Sequence, residues 1–243
     1  MATDERAAIK ALYERERGYW RPWNEVLLQQ RPRFLQAYAE YAGYPASQRV
    51  LSERMVELVY VALDASATHL FPSGLKLHMQ KALACGASDA DILDVLTLVS
   101  LQAVGAVANA LDAMLAVYGD TAEAAVTSDL QACAAALGLP AELLARLQPL
   151  DPPYFARLQA LAESGFSATG LSAGERCLVS IALHACFTGS NATALRASLL
   201  RAKQLGVVQA EVLQVIQLGA HLAVHGTALG ATTLAEIAGA NHS

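Results

Sequence analysis

The chain has 243 residues, enough to bury a large core as one domain or as two closely packed halves. Its residues are 54% apolar and only 16% charged, against a usual charged share of about 25%, which implies apolar surface covered in an oligomer. A net charge of −5 without a basic run argues against nucleic acid, and four scattered cysteines (Cys85, Cys133, Cys177, Cys186) argue against a disulfide framework or structural zinc site.

Strong helix formers dominate from end to end, and no run of alternating β-branched residues appears. A charged amphipathic helix is expected over residues 4–18, with no signal-peptide character in Met1-Ala2-Thr3-Asp4-Glu5-Arg6. Trp20, Pro22 and Trp23 make a turn, with Asn24 as N-cap of the next segment. The two indoles, beside Arg17 and Arg21, suit hydrophobic anchoring of this arm better than the roof of a pocket. A helix over 33–43 is expected to end at Gly43, before Pro45.

Ser52 then caps a helix reaching about Thr68, and Phe71, Pro72 and Ser73 form a loop. A second helix runs from Gly74 to Cys85 and stops at Gly86. Ser88 and Asp91 form a capping box for a third, long helix ending near Tyr118. A connector over 120–150 breaks at Gly138 and Pro140, and further helices follow over 152–164, 172–188, 191–205 and 209–237. Polar residues (Asp94, Gln102, Asn109 and Asp112; Gln214, Gln217, His221 and His225) interrupt the longest apolar stretches and argue against membrane spans.

The last helices repeat the earlier ones at a constant offset of 120 residues. Fourteen of the 46 residues over 51–96 are identical to their counterparts, and Gly86 and Gly206 mark the same stop. The expected fold is all-α: a tandem duplication of a three-core-helix unit with an N-terminal helical extension, divided as 1–120 and 121–243, its halves packed as a pseudo-symmetric pair. Specific chemistry is expected where the copies disagree at polar positions: Asp64 against His184, His78 against Ser198, Gly105 against His225.

The string Gly74-Leu-Lys-Leu-His78-Met-Gln-Lys-Ala82-Leu-Ala-Cys-Gly86-Ala-Ser88-Asp-Ala-Asp91, with the upstream run Leu58 to Ser66, resembles the carboxymuconolactone decarboxylase / alkylhydroperoxidase D superfamily. That resemblance covers most of both repeats and is weaker in the second, where Ser198 replaces the His. It implies an all-α fold of paired three-helix units, and a homotrimer of two-repeat chains in place of the hexamer of single-repeat members. The peroxidase branch carries Cys-x-x-Cys-x-x-x-His, but the two cysteine positions hold Phe71 and Gly74 here, and Asn191 and Ala194 in the second copy. Without a thiol pair, disulfide-based peroxidase turnover is not available. The decarboxylase branch places a glutamate near Gly74, and that acid is absent as well.

The candidate site residues are therefore His78, Asp64, His184 and His225. His78 suits general acid/base catalysis because an imidazole titrates near neutral pH. Asp64, set among apolar neighbours, needs a partner or a proton; that partner is either His184 across the pseudo-dyad or a hydroxyl such as that of Thr68. His221 and His225 share a helix face at a spacing that suits a metal, but a third ligand such as His78 or His69 is required, so no metal or cofactor is assigned. Glu57, Asp91 and Lys76 read as helix-surface charges, and Cys186 as a structural thiol.

Together these readings point to a cytoplasmic, cofactor-independent lyase or isomerase. It would act through His78 on a small carboxylate or carbonyl metabolite, with Asp64 or His184 orienting or polarising and His225 contributed by the other repeat. The second copy would be degenerate. The alternatives are an alkylhydroperoxidase D-like redox protein, disfavoured for want of the cysteines, and a non-catalytic oligomeric binding protein.

Overall fold

Among the described residues, 3–119 and 125–240 of this computed structural model, every regular element is helical. The division expected between residues 120 and 121 lies outside them. Packing divides the chain into two compact units, residues up to 49 with those from 220, and residues 50–219.

The terminal unit is built from α1 (Thr3–Arg17), α2 (Pro22–Gln30), α3 (Pro32–Ser47) and α13 (Val224–Ala240). Its core forms around Tyr13, fully buried and edge-on to Tyr19, Trp20 and Trp23 at ring separations of 5.6, 5.6 and 6.0 Å. The indoles thus anchor the arm. Asn24 is not the N-cap of α2: Arg21 holds that place with Pro22 at N1, and the Asn24 side chain accepts the Arg21 N–H from inside the first turn. Nor does α3 stop at Gly43. The glycine serves close approach, since a Cβ there would meet Glu16 of α1 at 3.1 Å, and the helix continues through Pro45 to Ser47.

The larger unit carries the duplication. The first copy is α4 (Glu53–Ala65), α5 (Pro72–Ala84) and α6 (Asp89–Tyr118). The connector supplies α7 (Ser128–Leu137), α8 (Ala141–Leu150) and α9 (Pro152–Ser164), and the second copy is α10 (Ala173–Ala185), α11 (Ala192–Gln204) and α12 (Gln209–Ala220). Local signals act alike in both copies. Ser52 and Ser172 accept from Met55 and Glu175 N–H groups as N-caps, and Gly86 and Gly206 end the middle helices at φ +90° and +82°. The Ser88–Asp91 capping box closes as expected, and Asp91, far from being a surface charge, is 5% exposed and paired with Arg54 at 2.7 Å.

Helices α4 and α10 pack on one another, with Leu58, Val59, Val61 and Ala62 fully buried. A reciprocal pair of hydrogen bonds joins the repeats. Asp94 of α6 accepts the Leu171 N–H that precedes α10, and its counterpart Gln214 of α12 accepts the Leu51 N–H that precedes α4, at 2.9 and 2.7 Å. That is a pseudo-twofold exchange.

The third helices differ. Whereas α6 is continuous, its counterpart is broken by a 3-10 turn at His221–Ala223. The His221 carbonyl accepts the Tyr38 hydroxyl at 3.0 Å and its ring meets the Arg17 guanidinium at 3.1 Å, tying down the turn from outside the helix. By length and composition, Asp89–Tyr118 and Gln209–Gly239 are apolar enough to cross a membrane despite the polar residues within them.

Candidate functional site

The chemistry-bearing side chains of the first repeat lie along the seam between α4 and α5. His78, at the middle of α5, faces Glu57 on α4, and its Nδ1 stands 2.6 Å from the Glu57 Oε2. An ionised carboxylate only accepts, so the imidazole donates its Nδ1–H and keeps the Nε2 lone pair for other work. The Tyr60 ring, one turn further along α4, lies tilted against the imidazole at 4.6 Å. Lys81 approaches the other Glu57 oxygen at 3.8 Å. The side chains of His78 and Glu57 remain 18% and 15% exposed, which leaves the pair partly open. Glu57 is therefore no surface charge. Its spacing to His78 runs across two helices and obeys no linear motif, although the α4–α5 hairpin and a three-residue step to Tyr60 were both visible.

One turn along the same seam, towards the α4–α5 loop, sits Asp64, 3% exposed. Its Oδ2 presses on Gly74, where a Cβ would come within 2.2 Å, and Oδ1 is 3.8 Å from the His69 Nε2. Burial pushes the Asp64 carboxyl up to about 7, and burial also lowers His69. The hydroxyl proposed as its partner is engaged elsewhere, Thr68 meeting Ser66 at 3.0 Å.

His184, the Asp64 counterpart on α10, is 5% exposed and its Nδ1 has no hydrogen-bond partner. Burial lowers it to about 4, so it is neutral at pH 7. Among the described residues no hydrogen bond or ion pair joins Asp64 to His184. The two residues share a structural address without forming a pair.

His225 lies on α13, in the terminal unit, whereas His78, Asp64 and His184 belong to the larger one. His221 is committed to Arg17. Because a guanidinium only donates, the His221 Nε2 lone pair is used in that contact and is withdrawn from any metal at that nitrogen. Cys186 is buried, with its sulfur 3.3 Å from the Thr188 hydroxyl and 3.9 Å from the Gly219 carbonyl, which is a structural setting.

At three of these four seam positions the second copy carries a smaller, uncharged residue, and at the fourth it keeps the positive charge. Cys177 stands for Glu57, Ser180 for Tyr60, Ser198 for His78 and Arg201 for Lys81. The dyad exists once per chain.

Residues 32–118, the end of the terminal extension plus the first repeat, match the family model of the carboxymuconolactone decarboxylase family. A crystal structure from Burkholderia xenovorans, provisionally named a gamma-carboxymuconolactone decarboxylase subunit, superposes with a TM-score of 0.80 at 24% identity over 98% of both chains. At that identity the likeness shows the fold alone, and it spans both repeats. No curated protein matches the chain.

Proposed function

We propose that this carboxymuconolactone decarboxylase-like protein is a cofactor-independent lyase or isomerase whose general acid/base is His78. The observation that carries the reading is the 2.6 Å contact between His78 and Glu57. Glu57 fixes the imidazole tautomer and stabilises the imidazolium that forms when Nε2 takes a proton. Tyr60 holds the ring from the side and limits its rotation.

The substrate class this supports is a small carboxylated lactone or oxo acid, in which Nε2 removes or returns a proton on the carbon beside a carbonyl. Asp64 and His184 lie too deeply buried, and too well enclosed by apolar residues, to meet substrate directly; they shape the two ends of the core. The exposed apolar residues of α6 and α12, among them Leu93, Met114, Val117, Leu213 and Ile216, support burial of these faces in an oligomer, for which a homotrimer of two-repeat chains is our reading.

The test is deuterium incorporation and carbon dioxide release from a panel of carboxylated γ-lactones and 3-oxo acids in D2O, read by mass spectrometry. The expected result is turnover of at least one member, reduced about 10²–10⁴-fold by His78→Gln. Undiminished turnover in that variant, or inertness of the wild type to the whole panel, would overturn the assignment. Hydrogen peroxide consumption with loss of free thiol would favour the redox alternative instead.

A further inference from the structure

The second repeat has lost the dyad, and the α7–α8 turn packs onto the vacated positions, a Cβ on Gly138 lying 3.1 Å from the Ser198 hydroxyl. Beside them opens a cavity of about 970 Å³, bounded by α7, α8, α10 and α11. Cys177, Ser180, Ser198 and Arg201 all line it. At these positions a phenol, an imidazole and a carboxylate have been exchanged for two hydroxymethyls and a thiol. The cavity's size is that of small-molecule sites.

The electrostatics have changed with the shape. In the first copy Lys81 is balanced by Glu57; in the second, Arg201 remains and the carboxylate is gone. Arg176 and Arg196 also line the cavity, against Glu142 alone. None of the three arginines has an ion-pair partner among the described residues. Arg176 is held in place, its guanidinium 4.8 Å over the Phe166 ring and its Nη1 donating to the Leu171 carbonyl at 2.7 Å, which leaves further N–H groups for a ligand. The Ser198 hydroxyl, 2% exposed and packed under Gly138, belongs to the buried wall of the cavity, so the arginines are the groups open to a ligand.

We infer that the second repeat is a binding site for a small organic carboxylate with an apolar body, whose carboxylate meets the arginines while Leu98, Leu139 and Phe166 enclose its carbon skeleton. The apolar share of the lining favours an organic acid over inorganic phosphate, and the fork geometry of arginine suits a carboxylate. This site goes beyond the His78 reading and does not depend on it. The repeat taken from sequence as degenerate has exchanged chemistry for recognition.

Benzoate titrated into the full chain, followed by calorimetry and by ligand-observed NMR, tests this. A probe of about nine heavy atoms is expected to bind with Kd in roughly the millimolar range. Arg201→Gln is expected to weaken it at least about tenfold, and the double substitution Ser180→Tyr with Ser198→His, which installs the first copy's residues, to abolish it. His78→Gln should leave benzoate affinity unchanged, which separates this site from the first repeat's dyad. Circular dichroism and the melting temperature are recorded for each variant; where Arg201→Gln does not fold, the exposed Arg196→Gln replaces it.

Four results would each overturn the inference: no benzoate binding at about 50 mM, equal binding of benzyl alcohol, loss of binding in His78→Gln but not in the arginine variants, and saturation by inorganic phosphate with exclusion of benzoate.

Discussion

Asp64 and His184 occupy matching places on α4 and α10, and their titrations act on stability in opposite directions. Asp64 moves from an ordinary 3.8 to about 7 in the folded chain because burial disfavours the carboxylate. Between about pH 4 and 7 the native state therefore holds a proton that the unfolded chain has released. Stability falls as pH rises through that window, by up to about 1.4 kcal/mol per pH unit. His184 moves the other way, from 6.5 to about 4, again through burial. Between about pH 4 and 6.5 the unfolded chain binds a proton that the native state refuses, so stability falls as pH drops, with a slope of similar size. Over the shared range the two slopes oppose and largely cancel. Burial lowers His69 too, so it acts in the same direction as His184.

Asp64→Asn removes one slope and exposes the other. Relative to wild type, the variant should gain stability progressively from pH 4 to pH 7, by about 3–4 kcal/mol in all. His184→Asn should show the reverse trend, its advantage largest near pH 4 and gone above about pH 6.5. Urea unfolding at four pH values, with m-values compared to confirm two-state behaviour, gives both difference curves. Groups common to all three proteins cancel in the differences. A flat Asp64→Asn curve would mean that the carboxyl titrates as if solvated, and the burial argument for that end of the seam would be wrong.

Four further outcomes follow from the geometry. Glu57→Gln should lower turnover of any substrate found at least about tenfold while leaving KM nearly unchanged, because the lost contact acts through His78 and not on substrate. Gly74→Ala should cost about 2 kcal/mol in urea unfolding, since the new Cβ would stand 2.2 Å from the Asp64 Oδ2 and 2.5 Å from the Phe71 ring. Asp94→Ala, which strands the Ser167 and Leu171 N–H groups, should cost about 2–4 kcal/mol and more than Gln214→Ala, which strands only that of Leu51. Light scattering on the purified chain should give about 77 kDa, three times the 25.6 kDa protomer, and a monomer that stays soluble without detergent would refute the covered-face argument.

Where one residue determines its own neighbourhood, the sequence was readable. Ser52, Ser88 with Asp91, and Gly86 with Gly206 each satisfy or end a helix through groups three or four residues away, and each does so in the structure. The duplication was legible for a similar reason, because a fixed offset compares like with like at every helix. Errors arose where a residue serves a distant partner. Gly43 looks like a stop but makes room for Glu16, and Asn24 looks like a cap but closes the turn from within. The break at His221 is imposed by Tyr38 and Arg17, far away in sequence. Glu57 belongs with this group. Nothing local distinguishes it from a solvated glutamate until α5 is folded back along α4.

The two copies have kept what builds them and changed what lies on their seams. Positions that join the repeats are conserved in role even where the residue differs: Asp94 and Gln214 both present an oxygen to the backbone N–H ahead of the partner's first helix. Positions that pair α4 with α5, or α10 with α11, are not constrained in this way. A seam lined by Glu57, Tyr60 and His78 and a seam lined by Cys177, Ser180 and Ser198 both leave the first core helix buried against its sibling, with Val59 and Val179 each fully enclosed. The α4–α10 contact is buried alike under both seams, so the outer seam of each copy can carry different chemistry. One chain can therefore hold an acid/base dyad in one repeat and a cationic cavity in the other without either perturbing the core that carries both.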